Sequence, residues 1–400
     1  MDRTVLHCDC NSFFASVETV FHPEYASVPM AVCGSGEDRH GIVLAKNELA
    51  KRAGVKTGEV IWQAKRKCPS LVTTDPHYRE YERYSRTLNE LYYEYTDLIE
   101  PFGIDESWLD VTAVRGILGD GKTIADDIRA RVRRELGITV SVGVSFNKVF
   151  SKLGSDYRKP DATTVISRDN FRDMVYPLPA SDLLFVGPRS SQSLARIGIY
   201  TIGDIAAAGR RALTDALGKN GSVIYDYACG LECSAVEPAG TSRDVKSIGN
   251  GLTFRRDLCC DDDIRAGVWA LSDTVAARMR SSGVLCGTIA VTVKDPLLRS
   301  SSRQKRLAEP TDLACDIADA ALSMIPYLVA SGAPVRAITI TGQDIMPEKK
   351  YPLQQVMFPD SRAVRREKAR RIERAVDSIR DRFGGDSVMR ASSVRSDIGI

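Results

Sequence analysis

The texture of the sequence changes twice along its length, and no single repeating architecture accommodates all three textures. Through residue 166 strand-like and helix-like segments alternate, and after Pro177 short helical stretches are joined by glycines. Beyond a polar stretch at 233–246, rich in Ser, Pro and Gly and read as an interdomain linker, longer β-rich and helical segments follow. A chain of 400 residues, at about 150 residues per domain, holds two to four domains rather than one small binding module. With 43% hydrophobic and 27% charged residues, the composition is that of folded protein and not of a disordered one. No apolar run reaches the roughly 18 to 20 residues that a membrane span needs. Met1-Asp2-Arg3 leads straight into a strand-like segment, so a cytoplasmic protein is expected.

The ten cysteines are dispersed and form no repeating paired framework, which reads as reduced, buried small hydrophobes. His7-Cys8-x-Cys10 has a metal-like look. Strand alternation, however, sends His7 and Cys8 to opposite faces, and no second pair completes four zinc ligands. The net charge of +3 conceals an asymmetry: residues 241–400 carry 26 Lys and Arg against 20 Asp and Glu, whereas residues 1–240 carry more acids than bases. A cationic C-terminal part suits a polyanion such as nucleic acid, although a solvated face is the plainer alternative.

Thr4-Val-Leu-His-Cys-Asp9 reads as a buried strand that ends in an acid, and Ser12-Phe-Phe-Ala-Ser-Val-Glu18 has helical spacing. Strands at Met30–Cys33 and Gly41–Ala45, with short helices at Asn47–Ala53 and Trp62–Cys68, make a small α/β insert. The spacing of Tyr81, Tyr84, Leu88, Leu91, Tyr92 and Tyr95 predicts one long amphipathic helix from Tyr78 to Leu98. A hairpin-like unit at Asp105–Thr112, a helix at Thr123–Leu136 and a strand at Thr139–Val144 follow. Helices at Ser191–Ile197 and Gly203–Ala208, with a Thr201/Asp204 capping box, read as a helix-hairpin-helix. The last part holds strands at Val284–Val293 and Val335–Thr341 and helices at Ile264–Arg280 and Thr311–Val329. A basic helix spans Arg362–Phe383, and its stripe of Val364, Ile372, Val376 and Ile379 is expected to pack on the protein.

Asp9 at a strand end and Asp105-Glu106 at the start of a hairpin are the candidate chemistry, because adjacent acids are electrostatically costly unless cations neutralise them. Two Mg²⁺ ions about 3.5–4 Å apart, bridged by carboxylates from two elements, could activate a hydroxyl and neutralise a leaving pyrophosphate. On spacing alone, Asp9 as a helix cap and Asp105-Glu106 as a solvated turn is the plainer reading.

Asp9-Cys-Asn-Ser-Phe-Phe-Ala-Ser-Val-Glu18, Gly54-Val-Lys-Thr-Gly58, Ile104-Asp-Glu-Ser-Trp-Leu-Asp110, Ser141-Val-Gly-Val144 and Asn147-Lys-Val-Phe-Ser-Lys-x-x-Ser-Asp-x-x-Lys159-Pro160 together resemble the Y-family, or translesion, DNA polymerases. They fall in order over nearly the whole chain, and the likeness is closer to the bacterial polymerase IV branch. The resemblance implies an α+β multidomain right hand: palm at 1–20 and 76–166, small fingers at 21–75, helix-hairpin-helix thumb at 167–232, linker at 233–246, α+β little finger at 247–345 and a tail at 346–400. It implies a low-fidelity, template-directed polymerase that acts on primer-template DNA and dNTP with two Mg²⁺ ions, working as a monomer.

Residue by residue, the resemblance makes Asp9, Asp105 and Glu106 the catalytic metal carboxylates and the Cys10 carbonyl a further ligand. It makes Phe14 the steric gate under the deoxyribose with Phe13 beside it, and gives Lys51 and Lys159 to the incoming triphosphate. The family usually has a tyrosine and an arginine in the fingers where this chain has Glu48 and Lys51; Glu48 cannot bind a triphosphate, and Lys46 is a candidate substitute. Ile42 should roof the nascent base pair. Backbone N–H groups around Gly187 and Gly198 would meet DNA phosphates, and the basic run Arg299–Arg306, with Arg303 and Lys305, would lie against the duplex. Gln354-Gln-Val-Met-Phe358 is similar to the short peptide that docks on a sliding clamp, with Gln354, Met357 and Phe358 as anchors. Two other readings share parts of this pattern: a nucleotide cyclase with the same acid geometry, and a decayed polymerase core serving as a DNA- or clamp-bound accessory protein.

Overall fold

The computed structural model describes residues 2–34, 41–241, 244–350, 361–391 and 397–400. The chain divides into two compact units, one built from Met1–Gly34 and Ile42–Ser242, the other chiefly from Arg243–Ile400. Gln354, Met357 and Phe358 lie outside the described residues.

The first unit opens with β1 (Val5–Cys10), every residue of which is buried, and α1 (Phe13–Phe21). The insert consists of β2 (Met30–Cys33), β3 (Val43–Lys46), α2 (Glu48–Arg52), α3 (Ile61–Lys67) and β4 (Val72–Thr74). Its three strands run in the order β3-β2-β4, with β2 antiparallel to β3 and parallel to β4. Asn47 caps α2 by accepting from the Ala50 N–H and donates to the Tyr25 and Val28 carbonyls, which ties the insert's helix to the chain entering it.

Next come α4 (Tyr78–Tyr93), β5 (Ile99–Pro101), β6 (Glu106–Asp110), α5 (Arg115–Leu118), α6 (Gly121–Leu136), β7 (Val140–Ser145), α7 (Lys148–Tyr157) and β8 (Thr163–Ile166). The expected helix to Leu98 ends at Tyr93. Thr96 donates to the Asp110 carbonyl and accepts from the Leu98 N–H, which turns the chain into β5. Strands β5-β6-β1-β7-β8 form one five-stranded sheet with β1 at its centre. Leu6, Leu88, Leu109, Ile124, Ile128 and Val142 meet in the core under this sheet, and burial of such side chains stabilises a fold by about 1.5–3 kcal/mol each.

The glycine-joined region holds α8 (Phe171–Val175), α9 (Pro188–Ala195), α10 (Ile202–Leu217) and α11 (Lys219–Ala228). The Thr201/Asp204 capping box is formed, and α10 kinks at Gly209, whose φ is 79°. The segment read as a linker is not free over its first part. Val236 is buried against Val5 and Trp108, the Glu237 N–H donates to Glu100, and the Ala239 N–H donates to the Asp97 carbonyl.

The second unit contains β9 (Ser247–Leu258), α12 (Asp261–Ser281), β10 (Val284–Lys294), β11 (Ser300–Thr311), α13 (Ala314–Met324), β12 (Val335–Pro347) and α14 (Ser361–Phe383). Its four-stranded antiparallel sheet has the order β11-β10-β12-β9. Helices α12 and α13 cover one face through Val268, Leu271, Val275, Ile317 and Ala321 against Ile289, Val291, Ile338 and Ile340.

The basic helix α14 departs from the expectation drawn from its apolar stripe: Val364, Ile372 and Ile379 are exposed, and Val376 is half-buried. It is held instead by its charged face. Buried Arg280 pairs with Glu373 and Asp377, Arg370 reaches Asp312, and Arg380 reaches Asp273. Guanidinium forks that find two carboxylates at a half-buried surface outcompete four separated aliphatic side chains.

Candidate active site

In the antiparallel pairing of β1 with β6, Asp9 stands directly opposite Glu106. Directly opposed residues share a face of the sheet, so two carboxylates from distant segments are brought side by side. The Cys10 N–H donates to the Asp105 carbonyl at 3.0 Å, which holds the turn bearing Asp105 against the end of β1. The alternative in which Asp9 caps α1 is not realised: Ser12 occupies the cap position, with φ 49°, and no side chain caps this helix.

Asp9, Asp105 and Glu106 line one cleft of about 410 Å³, together with Cys10, Phe13, Phe14, Lys46, Glu48, Lys51 and Lys159. Lys159 lies 2.8 Å from Asp9 Oδ2 and 2.8 Å from Asp156. On the opposite wall Lys51 pairs with Glu48 at 3.3 Å, and Lys46 donates to Thr57 at 3.0 Å. Ile42 forms an isolated bridge with Val60. Phe14 stacks on Tyr81, with ring centroids 4.1 Å apart and planes 12° apart, and Phe13 tilts beside it at 5.8 Å.

The three carboxyls are electrostatically unlike. Burial lifts Asp9 to about 6 against the pull of Lys159, and burial with the neighbouring Glu106 charge raises Asp105. Burial would also raise Glu106, but the adjacent His7 ring and the Lys152 ammonium overcome it and hold this carboxyl at about 2. Buried Asp9 and half-buried Glu106, side by side with an ammonium group beside each, make a donor set for hard cations. Ligand atoms of His7, Asp9 and Glu106 lie within 4.8 Å of one another. Alternation does bring His7 to the side of Asp9, yet its Nε2 faces Glu106 at 3.2 Å and its Nδ1 meets Ser155 Oγ at 2.8 Å. His7 therefore stands behind Glu106.

Sequence reasoning missed Lys152, whose ammonium contacts Glu106 Oε2. The signal was its spacing: Lys152 and Ser155 stand at i and i+3, which is one side of α7. It also missed Asn11, which accepts from the Asp161 N–H and donates to Ser141, so that the turn after Lys159 is fastened to the end of β1.

The remaining candidates are spread over the two units. Gly187 precedes α9, and Gly198 has φ 78°; a Cβ at either would meet nothing within 4 Å, so internal packing does not require glycine there. Arg303 and Lys305 stand opposite Val291 and Ile289, on the helix-covered face of the sheet. Arg303 lies over the Tyr327 ring and Lys305 donates to Ser323. Arg306, opposite Thr288, is on the other face.

Residues 8–156 match the impB/mucB/samB family, and residues 245–355 match the C-terminal domain of the same family. The chain is 43% identical over 390 residues to the DNA polymerase IV of Acetivibrio thermocellus, covering 98% of this chain and 97% of that protein. The chain belongs to the Y family of DNA polymerases. Within this family it is also 34% identical to the DNA polymerase IV of Moorella thermoacetica, covering 98% and 96% of the two chains. A solved Y-family DNA polymerase chimera superposes with a TM-score of 0.76 at 25% identity, covering 86% of this chain and 99% of the chimera. The expected right-hand α+β fold is therefore the fold of the family. Among the described residues, no helix is long and apolar enough to cross a membrane.

Proposed function

We propose that the cleft of the first unit adds a deoxynucleotide to a primer 3′-hydroxyl on a DNA template, as a low-fidelity polymerase of translesion synthesis, with Asp9, Asp105 and Glu106 holding two Mg²⁺ ions. The observation that carries this reading is the register that sets Asp9 against Glu106 in a cleft that Lys159 also enters. Bound there, the ions would activate the attacking hydroxyl and neutralise the leaving pyrophosphate. The Cys10 carbonyl would add a neutral oxygen ligand.

The chain's own residues supply position and charge. Lys159 moves from Asp9 to the triphosphate, which frees Asp9 for a cation, and Lys51 serves the same phosphates from the fingers wall. Glu48 restrains Lys51 in a mutual ion pair, so nucleotide competes with an internal carboxylate for that lysine. Phe14, buttressed by Tyr81 and Phe13, forms a wall that a ribose 2′-hydroxyl would strike. Residues 1–20 and 76–166 act as palm, 21–75 as fingers, 167–232 as thumb, 233–246 as linker and 247–345 as little finger. The backbone at Gly187 and Gly198 meets template or primer phosphates. On the little finger, Arg303 and Lys305 act from the strand's edge, and Arg306 acts from the face opposite the helices. Gln354, Met357 and Phe358 dock the enzyme, a monomer in the cytoplasm, on a sliding clamp.

Primer extension with each dNTP and rNTP in Mg²⁺ tests the reading. Asp105→Ala and Glu106→Ala should abolish extension while primer-template binding is kept; extension by either variant at the wild-type rate removes the assignment. A nucleotide cyclase would need no primer, and an accessory protein with a decayed core would not extend one.

A further inference from the structure

Two side chains stand behind Glu106, and both approach the same oxygen. The Lys152 ammonium contacts Oε2, and His7 Nε2 lies 3.2 Å from that same Oε2. Neither group is free to wander. The Lys152 ammonium sits 5.2 Å from the Phe102 ring centroid, with 17% of its side chain exposed. The His7 ring is fully buried, fixed by Ser155 at Nδ1 and by the edge of Trp108 at 5.2 Å. Helix α7, which carries Lys152 and Ser155, reaches this position because Gly143 on β7 leaves room for its backbone.

We propose that Lys152 is a positioning residue for Glu106: by holding Oε2, it presents Oε1 alone to a divalent cation. This rests on the two-cation reading above. A carboxylate with both oxygens free can close on one ion as a bidentate chelate, which binds that ion tightly but points it away from the bridging geometry that two-ion chemistry needs. A fixed ammonium prevents that closure and its charge opposes the ion, so the site trades affinity for orientation. His7 steadies the same oxygen, with Ser155 fixing its ring.

The trade gives opposite signs in two measurements on the full-length protein with primer-template and a non-hydrolysable dNTP analogue. In Lys152→Met, Mn²⁺ titrated by the electron paramagnetic resonance of the free ion should bind about threefold tighter or more, since a neighbouring positive charge is gone. With the natural dNTP, kcat should fall about tenfold or more while the dNTP KM stays within about twofold, because orientation rather than binding is lost. Lys152→Arg, which restores a cation on Oε2, should return both values toward wild type. Should the Met variant fail to fold, Lys152→Gln carries the same expectation. Parallel weakening of Mn²⁺ binding and kcat, or no change in either, overturns the proposal. Mn²⁺ uptake by the wild type that is unaffected by Asp9→Asn removes the two-cation reading itself, whatever the Lys152 variants do, and this proposal with it.

Discussion

Gly143 of β7 and Ser151 of α7 are in backbone contact: a Cβ built on Gly143 would lie 1.8 Å from the Ser151 carbonyl oxygen and 2.4 Å from the Ser155 nitrogen. Nothing flexible can yield there, because both obstacles are main chain. Gly143→Ala must push α7 off the sheet and should destabilise the first unit by at least about 2 kcal/mol, the scale of overpacking a tight core. Urea unfolding measures this. Because α7 carries Lys152 and Ser155, the fraction that folds should also extend primers more slowly.

Asp9 should make the proposed cation binding pH-dependent. Its carboxyl is raised by burial to about 6 from an ordinary 3.8. A carboxyl raised in the folded state contributes stability below its unfolded value and loses it as pH rises through the folded value. Asp9 should thus favour the metal-free fold near pH 4 and cost it stability above pH 6, and a divalent cation relieves that cost. Added Mg²⁺ should raise Tm more at pH 7.5 than at pH 5.5. Primer extension should fall as pH drops below about 6, with the midpoint moving lower at higher Mg²⁺.

Phe14→Ala should admit ribonucleotides. The ring that stacks on Tyr81 would be gone, opening space where a 2′-hydroxyl must fit. Discrimination between dNTP and rNTP, as the ratio of kcat/KM values, should drop by about 10- to 200-fold, the range a steric pocket supplies. An unchanged ratio would take the gate role from Phe14.

In the second unit, Arg280 and the exposed stripe of α14 should behave oppositely. Only 5% of the Arg280 side chain is exposed, and it binds both Glu373 and Asp377. Arg280→Ala leaves two half-buried carboxylates without their cation and should cost about 3 kcal/mol or more. Val364→Ser and Ile372→Ser, at exposed positions, should stay within about 0.5 kcal/mol. Thermal unfolding of the three variants distinguishes attachment by charge from attachment by the apolar stripe.

Periodicity and acid placement carried much of this fold into view. The strand ending at Asp9, the Thr201/Asp204 cap and the strands around Val291 and Ile340 are local patterns, and they form as read. What escaped depends on partners far along the chain. Glu18 reads as an ordinary polar helix position, yet it is buried and accepts from Tyr81 at 2.5 Å, with His77 at 2.9 Å. Three-residue β4 is too short for alternation to register and exists because β2 pairs with it. Lys152 became meaningful only when β6 brought Glu106 to α7. The α14 stripe misled because a 3.6-residue period states which residues share a face, not whether carboxylates elsewhere offer the opposite face a better partner.

Strand β11 closes one margin of the second unit's sheet, with Ser300–Arg306 exposed throughout. An open margin offers unmatched peptide groups to any extended chain, and lysine and arginine are the side chains that commonly deter such pairing. Arg303, Lys305 and Arg306 on this strand should therefore deter such pairing, beside the contact with DNA proposed for them. Neutralising them would open a route to self-association, and weakened DNA affinity in such variants has meaning only where sedimentation velocity shows them still dispersed.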